Sequence, residues 1–363
     1  MDKTDIFVLH GTNPALMAKR LLQATGLAEQ IGNRKNRIGL KPNLVLASPA
    51  ENGATTHPEI VAAVVEYLQE NGFHNIAIME GAWVGAKTTD AFRVCGYEIL
   101  AKRYGVELID LQRDKMTVHS CRGIDVEFCQ SALDVDFMIN LPVLKGHCQT
   151  LLTCALKNNK GIISNAEKRR FHSMGLHKPI AHMNMAAKND FILVDGICGD
   201  LDFEEGGNPI QGDMLFAARD PVLCDAFAAV LLGLDPQKVA YIGLAEELGV
   251  GSANLSRAKI RQLIDGKDAG RATKPTGRVR QLAAYLEEDA ACSACYASAV
   301  RALSQLEMRK LKMLKHKICV GQGFAGKSGG FGVGHCTAQF DRSVKGCPPT
   351  ARAILDALRQ EVE

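Results

Sequence analysis

Short apolar strands alternate with amphipathic helices over the first third of the chain. The predicted elements are a strand at 5–11, a helix at 14–26, a strand at 37–45, a helix over TTHPEIVAAVVEYLQENG, a strand at 75–81, a helix at 88–104 and the strand VELIDL. Such alternation favours a mostly parallel sheet covered by helices on both faces, that is, an α/β fold. An inserted β-hairpin is predicted at residues 115–129.

Polar side chains stand at the carboxyl ends of these strands. The strand RIGLKPNLV stops at its proline, which has no N–H for a sheet, and presents Lys41 and Asn43. The strand NIAIMEG delivers Glu80, His57 precedes a helix that starts with proline, and FILVDG ends near Asp195. Ligands of α/β folds bind at such strand ends. We therefore predict Lys41, Asn43, His57 and Asp195 as ligand-binding residues.

The stretch NLPVLKGHCQTLLTCALKNNKG, residues 140–161, combines a strand end with several cations. A helical pattern is predicted from Leu151 to Leu156, followed by a polar run. Lys145, Lys157 and Lys160, together with Asn158, are predicted to bind an anionic small molecule. The alternative is a solvated basic helix end, since a helix dipole favours lysine there.

Two residues are candidates for proton transfer. Glu80 and His147 could both move protons, and His147 is the better base because imidazole titrates near neutrality. His172, His177 and His182 follow in a segment, 162–190, that is predicted to be irregular. Their spacing does not place them on one helix face, so loop or substrate contacts are favoured over a metal site.

The remainder of the main domain has fewer signals of chemistry. EEGGNPIQGD is rich in glycine but lacks the spacing of a phosphate loop, and a hairpin connection is favoured. Asp220 is predicted to cap a helix that starts with proline. Further helices are predicted at about 236–249 and 254–264. The chain is divided into a main domain at 1–265, a linker at 266–278 and a C-terminal α+β cysteine-rich module at 279–363.

The chain has twelve cysteines, and five of them follow residue 290. The other seven lie mostly among apolar residues and are interpreted as small core side chains. A reducing compartment would keep the thiols free, so a disulfide framework is not expected.

Four of the five C-terminal cysteines fit an iron–sulfur site. Cys292 and Cys295 can reach one metal centre from a single turn, and Cys336 ends a predicted strand. Cys347 is followed by two prolines and a helix start, and a Cys–Pro pair recurs in iron–sulfur ligation. We predict that these four hold one [4Fe–4S] cluster. Zinc is the alternative, although a second close CxxC pair is missing, and Cys319 is interpreted as structural.

Several motifs resemble the family known as domain of unknown function 362, found in bacteria and archaea. They are KPN at 41–43, TTHPE at 55–59, EG at 80–81, LPVLKGH at 141–147, ALKNNKG at 155–161, VDGI at 194–197 and RDPVLCD at 219–225. The resemblance covers about residues 37–235. It implies that the site residues above matter and that iron–sulfur segments often accompany the domain. The family has no established reaction. The tail lacks the four closely spaced cysteines of a double-cluster ferredoxin, and its GCPP end resembles cluster sites of hydrogenase small subunits.

Composition argues against some classes of partner. The net charge is +3, with one Trp and six Tyr, so nothing favours nucleic acid or an anionic membrane. The N-terminus lacks the pattern of a signal peptide, and no apolar run is long enough to span a bilayer. A cytoplasmic location is expected.

These observations favour an iron–sulfur protein in redox chemistry or electron transfer involving an anionic small molecule. A redox protein partner fits this role, because a cluster carries one electron at a time. The alternatives are a non-enzymatic sensor or scaffold stabilised by a cluster or zinc, and a non-redox enzyme with a structural cluster. The sequence leaves open whether the chain forms a homo-oligomer.

Overall fold

The computed structural model describes residues 1–263, 278–314 and 316–362. The predicted linker, 266–278, therefore lies outside the described residues except for Arg278, which begins a helix. No helix among the described residues is both long and apolar enough to cross a membrane.

The strands of the first 263 residues form most of the described structure. They are β1 (Asp5–His10), β2 (Ile38–Pro42), β3 (Ile76–Glu80), β4 (Glu107–Asp110), β5 (Met116–Cys121), β6 (Ile124–Cys129), β7 (Phe137–Leu141), β8 (Lys145–His147), β9 (Leu151–Thr153), β10 (Phe191–Asp200), β11 (Pro209–Ala218) and β12 (Lys259–Leu263).

Helices connect these strands. They are α1 (Pro14–Thr25), α2 (Leu27–Ile31), α3 (Pro58–Glu70), α4 (Thr88–Val94), α5 (Tyr97–Tyr104), α6 (Gln130–Leu133), α7 (Ala155–Asn158), α8 (Asn165–Ser173), α9 (His177–Met183), α10 (Pro221–Leu231) and α11 (Ala240–Glu247). Short 3-10 turns lie at Ala50–Asn52, Leu111–Arg113, Asn159–Ile162, Pro236–Lys238 and Leu255–Arg257.

Eight of these strands form one sheet in the order β12-β1-β11-β10-β7-β2-β3-β4. The five strands from β10 to β4 run parallel, and β11 runs antiparallel to both of its neighbours. Side chains of β1 alternate between two apolar clusters: Ile6 and Val8 enter one, and Phe7 and Leu9 enter the other. Helices α1, α3 and α5 pack on one face and α9, α10 and α11 on the other. The predicted α/β fold is confirmed.

Three further predictions are confirmed. Strands β5 and β6 pair antiparallel as the inserted hairpin. The Gly-rich segment after Asp200 connects the antiparallel strands β10 and β11. The Asp220 side chain accepts hydrogen bonds from the Val222 and Leu223 N–H groups and caps α10.

Three local predictions were wrong. Residues 151–153 form strand β9, paired with β8, because Leu151 has a φ of 68°, which a helix excludes. The segment 162–190 contains α8 and α9. Ser164 accepts a bond from the Glu167 N–H, so the S-x-x-E pattern was a missed helix start. The helix predicted at 254–264 is instead strand β12, which pairs with the open edge of β1.

The C-terminal module contains a second, smaller sheet. Its elements are α12 (Arg278–Ala283), β13 (Leu286–Glu288), α13 (Ser293–Ser304), α14 (Met308–Leu311), β14 (Ile318–Val320), β15 (Phe331–Val333), β16 (Arg342–Val344) and α15 (Ala351–Glu361), with 3-10 turns at Gln322–Phe324 and His335–Thr337. The four strands are parallel, in the order β13-β14-β15-β16, and β16 was not predicted.

The module packs against the main domain of the same chain. Cys148 and Phe203 belong to the same apolar cluster as Tyr296 and Val300 of α13. The Gln149 amide donates to the Ala291 carbonyl at 3.2 Å, and the Gln322 amide donates to the Arg169 carbonyl at 3.1 Å. Arg301 also donates to the Gly206 carbonyl. The module thus covers the cleft at the sheet edge.

Candidate functional site

A cavity of about 670 Å³, its mouth included, lies between the carboxyl ends of the parallel strands and the module. Seven predicted residues line it: Asn43, Glu80, Lys145, His147, Lys157, Asn158 and Lys160. Lys168, His172, Glu204 and Cys292 also line it. Lys41, His57 and Asp195 are not among its lining residues.

Lys41 forms the floor beneath this cavity. Its ammonium donates to a Glu80 carboxylate oxygen at 2.8 Å, to the Pro42 carbonyl at 2.8 Å and to the Asn158 amide oxygen at 3.4 Å. Burial lowers the pKa of Lys41, and the Glu80 charge opposes that shift. An ammonium has three N–H donors, and all three have acceptors here. A contact between Lys41 and a bound anion would require breaking this pair.

Glu80 is equally enclosed. Besides Lys41, its carboxylate accepts hydrogen bonds from the N–H groups of Leu44 and Gly81. The side chain is only about 3% exposed. Its predicted role in proton transfer stays a prediction, and the structure shows it as the counter-ion of Lys41.

Lys145 is also fully engaged. Its ammonium donates to the Asn43 amide oxygen at 3.2 Å, the Ala54 carbonyl at 2.5 Å and the Glu204 carbonyl at 2.8 Å. Burial, followed by the nearby charge of Lys157, lowers the pKa of Lys145 to about 7. Lys145 therefore ties the loop after β2 to the loop after β10 and contributes charge to the cavity wall.

Lys157 and Lys160 differ from the other lysines. Within the described structure, the Lys157 ammonium has one hydrogen-bond partner, the Thr153 hydroxyl at 3.3 Å. The Lys160 ammonium lies 3.4 Å from Nε2 of His172. Burial lowers the pKa of Lys157 to about 8; burial and then the charge of Lys157 hold the pKa of Lys160 well below its usual range. Both side chains are half-buried, and they retain donors for an anion.

His147 is a hydrogen-bond donor toward the cavity. Its Nδ1 accepts from the N–H groups of Gln149 and Thr150 at 3.0 and 3.1 Å, so the neutral ring carries its proton on Nε2. Nε2 lies 3.2 Å from a Glu204 oxygen but is not aligned for a hydrogen bond with it. Burial, followed by the charges of Lys157 and Lys160, holds the pKa of His147 well below 6.5. This direction keeps the ring neutral and does not favour titration near neutrality; the role of His147 in proton transfer stays a prediction.

The remaining predicted cleft residues form a separate pair. Both the backbone N and Nδ1 of His57 lie 2.8 Å from one Asp195 oxygen. Burial opposes the imidazolium, but hydrogen bonds and charge from Asp195 and Cys198 raise the pKa of His57 to about 10. The pair fastens the start of α3 to β10 beside the cavity. Asn43 and Asn158, in contrast, hydrogen-bond to each other at 3.0 Å in the cavity wall.

Sequence reasoning missed two members of the wall. The Lys168 ammonium donates to the carbonyls of Gly81 and Ala82 at 3.0 and 2.9 Å, which fastens α8 to the end of β3. The capping box at Ser164 was the available signal for this helix. Glu204 accepts from the Cys148 thiol at 3.0 Å. No local signal distinguished it within its Gly-rich loop.

The three histidines of the segment 162–190 lie in different surroundings. His172 lines the cavity. His177 stacks on Tyr241 with ring centroids 5.9 Å apart, and Nδ1 of His182 lies 2.9 Å from the Cys121 carbonyl oxygen. They do not converge on one centre.

Buried donor groups that could hold a metal ion occur twice in the described residues. His147, Cys148 and Glu204 form one, and Cys154, Cys224 and Asp225 form the other, each with donor atoms within 4.8 Å of one another. In the second group the Asp225 carboxylate already accepts from the N–H groups of Ala155 and Leu156. The seven scattered cysteines are all buried: Cys95, Cys121, Cys129, Cys148, Cys154, Cys198 and Cys224.

The charges of the four predicted cysteine ligands act on one another, so these side chains lie in one region of the module. Burial, followed by the charges of Cys292, Cys347 and Cys336, raises the pKa of Cys295 to about 12. The His335 N–H donates to the Gly346 carbonyl at 2.9 Å, which joins the turn of Cys336 to the loop of Cys347. A metal that binds the four thiolates would offset the repulsion between their negative charges.

Gly334 lies next to a predicted cluster ligand, whereas the fifth cysteine, Cys319, has different surroundings. Gly334 has a φ of 94°, which favours glycine, and a β-carbon there would be in ordinary van der Waals contact with the Cys295 sulfur at 3.5 Å. Cys319 instead lies next to Glu287, 3.9 Å from a carboxylate oxygen, on the second strand of the small sheet. Burial, followed by the charge of Glu287, raises the pKa of Cys319.

Comparisons with known proteins place the main domain. The model of the family described as domain of unknown function (DUF362) matches residues 38–230. The thylakoid-associated protein sll1697 of Synechocystis is 26% identical over 243 residues, which cover 64% of this chain and 74% of that protein. The lactate racemase apoprotein from Thermoanaerobacterium thermosaccharolyticum superposes with a TM-score of 0.42 and 14% identity, over 63% of this chain and 57% of that one.

Proposed function

Because the chain belongs to the family described as domain of unknown function (DUF362), which supplies no reaction, we propose its function from the geometry of the site. The protein is an iron–sulfur protein that performs redox chemistry or electron transfer with a small anionic molecule bound in the lysine-lined cavity. One observation carries this proposal: Cys292, a predicted cluster ligand, lines the same cavity as Lys157 and Lys160.

The donor set supports a cluster more than zinc. Four thiolates around one zinc ion would lie about 3.8 Å apart, given a Zn–S distance of about 2.3 Å. In the part of the chain that the structure describes, the donor groups within 4.8 Å of one another include no three of Cys292, Cys295, Cys336 and Cys347. This wider spacing suits a larger inorganic group. A [4Fe–4S] cluster held there would accept and donate one electron at a time.

The charge of the cavity supports an anionic ligand. Lys145, Lys157, Lys160 and Lys168 line it, whereas the acidic groups are Glu80 and Glu204. Glu80 is already paired with Lys41. Burial lowers the pKa of Lys157 to about 8, which is the cost of charge in a partly desolvated wall. A bound anion would offset this cost, so the cavity favours anions over cations and neutral molecules.

The geometry also divides the predicted roles. Lys157 and Lys160 bind the anion, since both keep free N–H donors. Lys145, Asn43 and Asn158 hold the wall in shape through their mutual hydrogen bonds. The Nε2–H of His147 orients the ligand as a neutral donor.

A protein partner would approach from the opposite side. Cys347 is exposed, whereas Cys292 faces the cavity. The cysteine site therefore has one side toward solvent and one toward the bound molecule, as a relay between a redox protein and a small molecule requires.

Metal analysis tests the first half of this proposal. Protein purified without oxygen is expected to contain iron and acid-labile sulfide in equal amounts, with visible absorption that dithionite bleaches and air restores, and a spin-resonance signal in the reduced form. A colourless protein with stoichiometric zinc would contradict it.

Ligand binding tests the second half. Inorganic phosphate and malonate are titrated calorimetrically at constant ionic strength. Lys157→Met is expected to weaken binding about tenfold, because it removes a charge-assisted hydrogen bond worth about 1.5 kcal/mol or more. Lys102→Met, at an exposed position on α5, is the control and should bind as the wild type does. Equal binding by both variants would remove Lys157 from the site.

A structural cluster is the second candidate. The strands of the small sheet have only three residues each, and a module of this kind can depend on a metal for its fold. Iron that is present but not reduced by dithionite would favour this role over the redox function.

A further inference from the structure

Lys160 stands where the cavity and the cysteine site meet. It lies in the 3-10 turn after α7, and its ammonium and Cys292 both line the cavity. The charge of the Cys292 thiolate favours the protonated form of Lys160 and raises its pKa, and the Lys160 ammonium in turn lowers the pKa of Cys292. One side chain thus faces both the space for the anion and a ligand of the cluster.

Lys157, three residues earlier, provides an internal contrast. It lines the same cavity, but the acidic groups that act on it are Glu204 and Cys148 of the main domain. The two lysines therefore share the anion and differ in their relation to the cysteine site.

Arg169 is a second cation that lowers the pKa of the Cys292 thiol. Arg169 is exposed on α8, whereas Lys160 is half-buried. Water and salt screen an exposed charge more strongly than a buried one. Lys160 is therefore the cation through which charge in the cavity reaches the cysteine site most effectively.

We propose that Lys160 couples anion binding to the redox state of the cluster, so that the oxidised protein binds the anion more tightly than the reduced protein does. This inference rests on the proposed function. Reduction adds one electron, supplied by the external reductant, to the cluster beside Lys160. A bound anion brings negative charge to the same ammonium, and it is neither oxidised nor reduced in this step. The two negative charges oppose each other.

Linkage makes the effect reciprocal. If reduction weakens anion binding by a given factor, saturating anion must lower the midpoint potential by the same free energy. A tenfold difference in affinity corresponds to about 59 mV for a one-electron couple.

The arrangement also specifies the class of ligand. Two ammonium groups on one turn, each with N–H donors to spare, match a dianionic group. Inorganic phosphate and malonate represent the two forms of such a ligand, with the charges on one group or on two.

The experiment is a redox titration followed by spin resonance, with and without saturating phosphate or malonate, at constant ionic strength. In the wild type, the anion should lower the potential by an amount that corresponds to about tenfold in affinity. Lys160→Met should have a lower potential without anion and lose at least two-thirds of the anion-induced shift. Lys157→Met should bind anion about tenfold more weakly and should change the anion-free potential less than Lys160→Met does.

Lys160→Arg keeps the charge and should keep the linkage, which separates electrostatics from a packing defect. Unchanged potential on saturation with a bound anion would overturn the coupling while the proposed function stands. Equal potential changes in Lys157→Met and Lys160→Met would overturn the assignment to Lys160. Binding of neither probe would overturn the dianion class, and absence of iron would instead defeat the proposed function itself.

Discussion

The main sheet has strands of up to ten residues whose side chains enter an apolar cluster on each face, whereas every strand of the C-terminal sheet has three residues. The apolar cluster of the small sheet is completed by Cys148 and Phe203 of the main domain. Most members of that cluster belong to the module itself, so its short strands are also covered by apolar side chains. We therefore predict that the large sheet is stabilised by apolar burial, whereas the small one depends in addition on the cysteine site and on docking.

The largest expected effect follows from removing a cluster ligand. Cys295→Ser should reduce bound iron about tenfold or more, because the metal and the module fold together. Hydrogen exchange should then increase across 278–314 and 316–362, while the strands of the main sheet keep their protection.

Cys319→Ser is the matched control. Cys319 lies beside Glu287 and is not one of the four predicted ligands, so this variant should keep wild-type iron and protection. A module that stays protected in Cys295→Ser would show that the two sheets are stabilised in the same way.

The next largest effect is expected from breaking the buried ion pair between Lys41 and Glu80. Lys41→Met leaves the Glu80 carboxylate buried without its counter-ion and should cost about 3–5 kcal/mol in the free energy of unfolding. Urea unfolding followed by the fluorescence of Trp83, the single tryptophan, measures it. The double variant Lys41→Met/Glu80→Gln should recover part of the loss. A cost below about 1 kcal/mol would indicate that the pair is hydrated.

The His57–Asp195 pair makes stability depend on pH. The pKa of His57 is raised to about 10 in the folded protein, above its usual 6.5. Its contribution is therefore complete below pH 6.5 and is lost as the pH rises toward 10. His57→Gln should cost about 2–4 kcal/mol at pH 6, and the difference from the wild type should shrink by pH 10. A difference that is constant from pH 6 to 10 would mean that His57 is neutral.

The smallest effect tests the contact between the two sheets. Gly85 has a φ of 100°, and a β-carbon there would lie 2.2 Å from Cδ of Pro348. Gly85→Ala should cost about 1–3 kcal/mol through this clash and lower iron retention during heating. Gly96→Ala, with a φ of 79° and open space around it, should cost only about 1 kcal/mol and keep the iron. If the two variants lost the same stability and the same amount of iron, Pro348 of the module would not pack against Gly85.

Local patterns predicted much of the main sheet. The alternation along β1, the proline that ends β2 and the Asp220 cap of α10 are readable because each depends on neighbouring residues. The wrongly predicted elements are those whose structure depends on contacts between residues distant in sequence. Strand β12 forms because β1 offers an open edge, and residues 151–153 pair with β8 instead of starting a helix.

The sequence by itself determined the alternation of strands and helices in the first third of the chain, the lysines at residues 145–160 and the spacing of the C-terminal cysteines, because these are properties of neighbouring residues. Only the tertiary structure decided which lysines are free. Lys41 meets Glu80 across 39 positions and Lys145 meets Asn43 across 102, so both are engaged, while Lys157 and Lys160 each have one polar contact among the described residues and keep further N–H donors. The tertiary structure also placed Cys292 at the cavity, because that requires packing between segments that no local pattern connects.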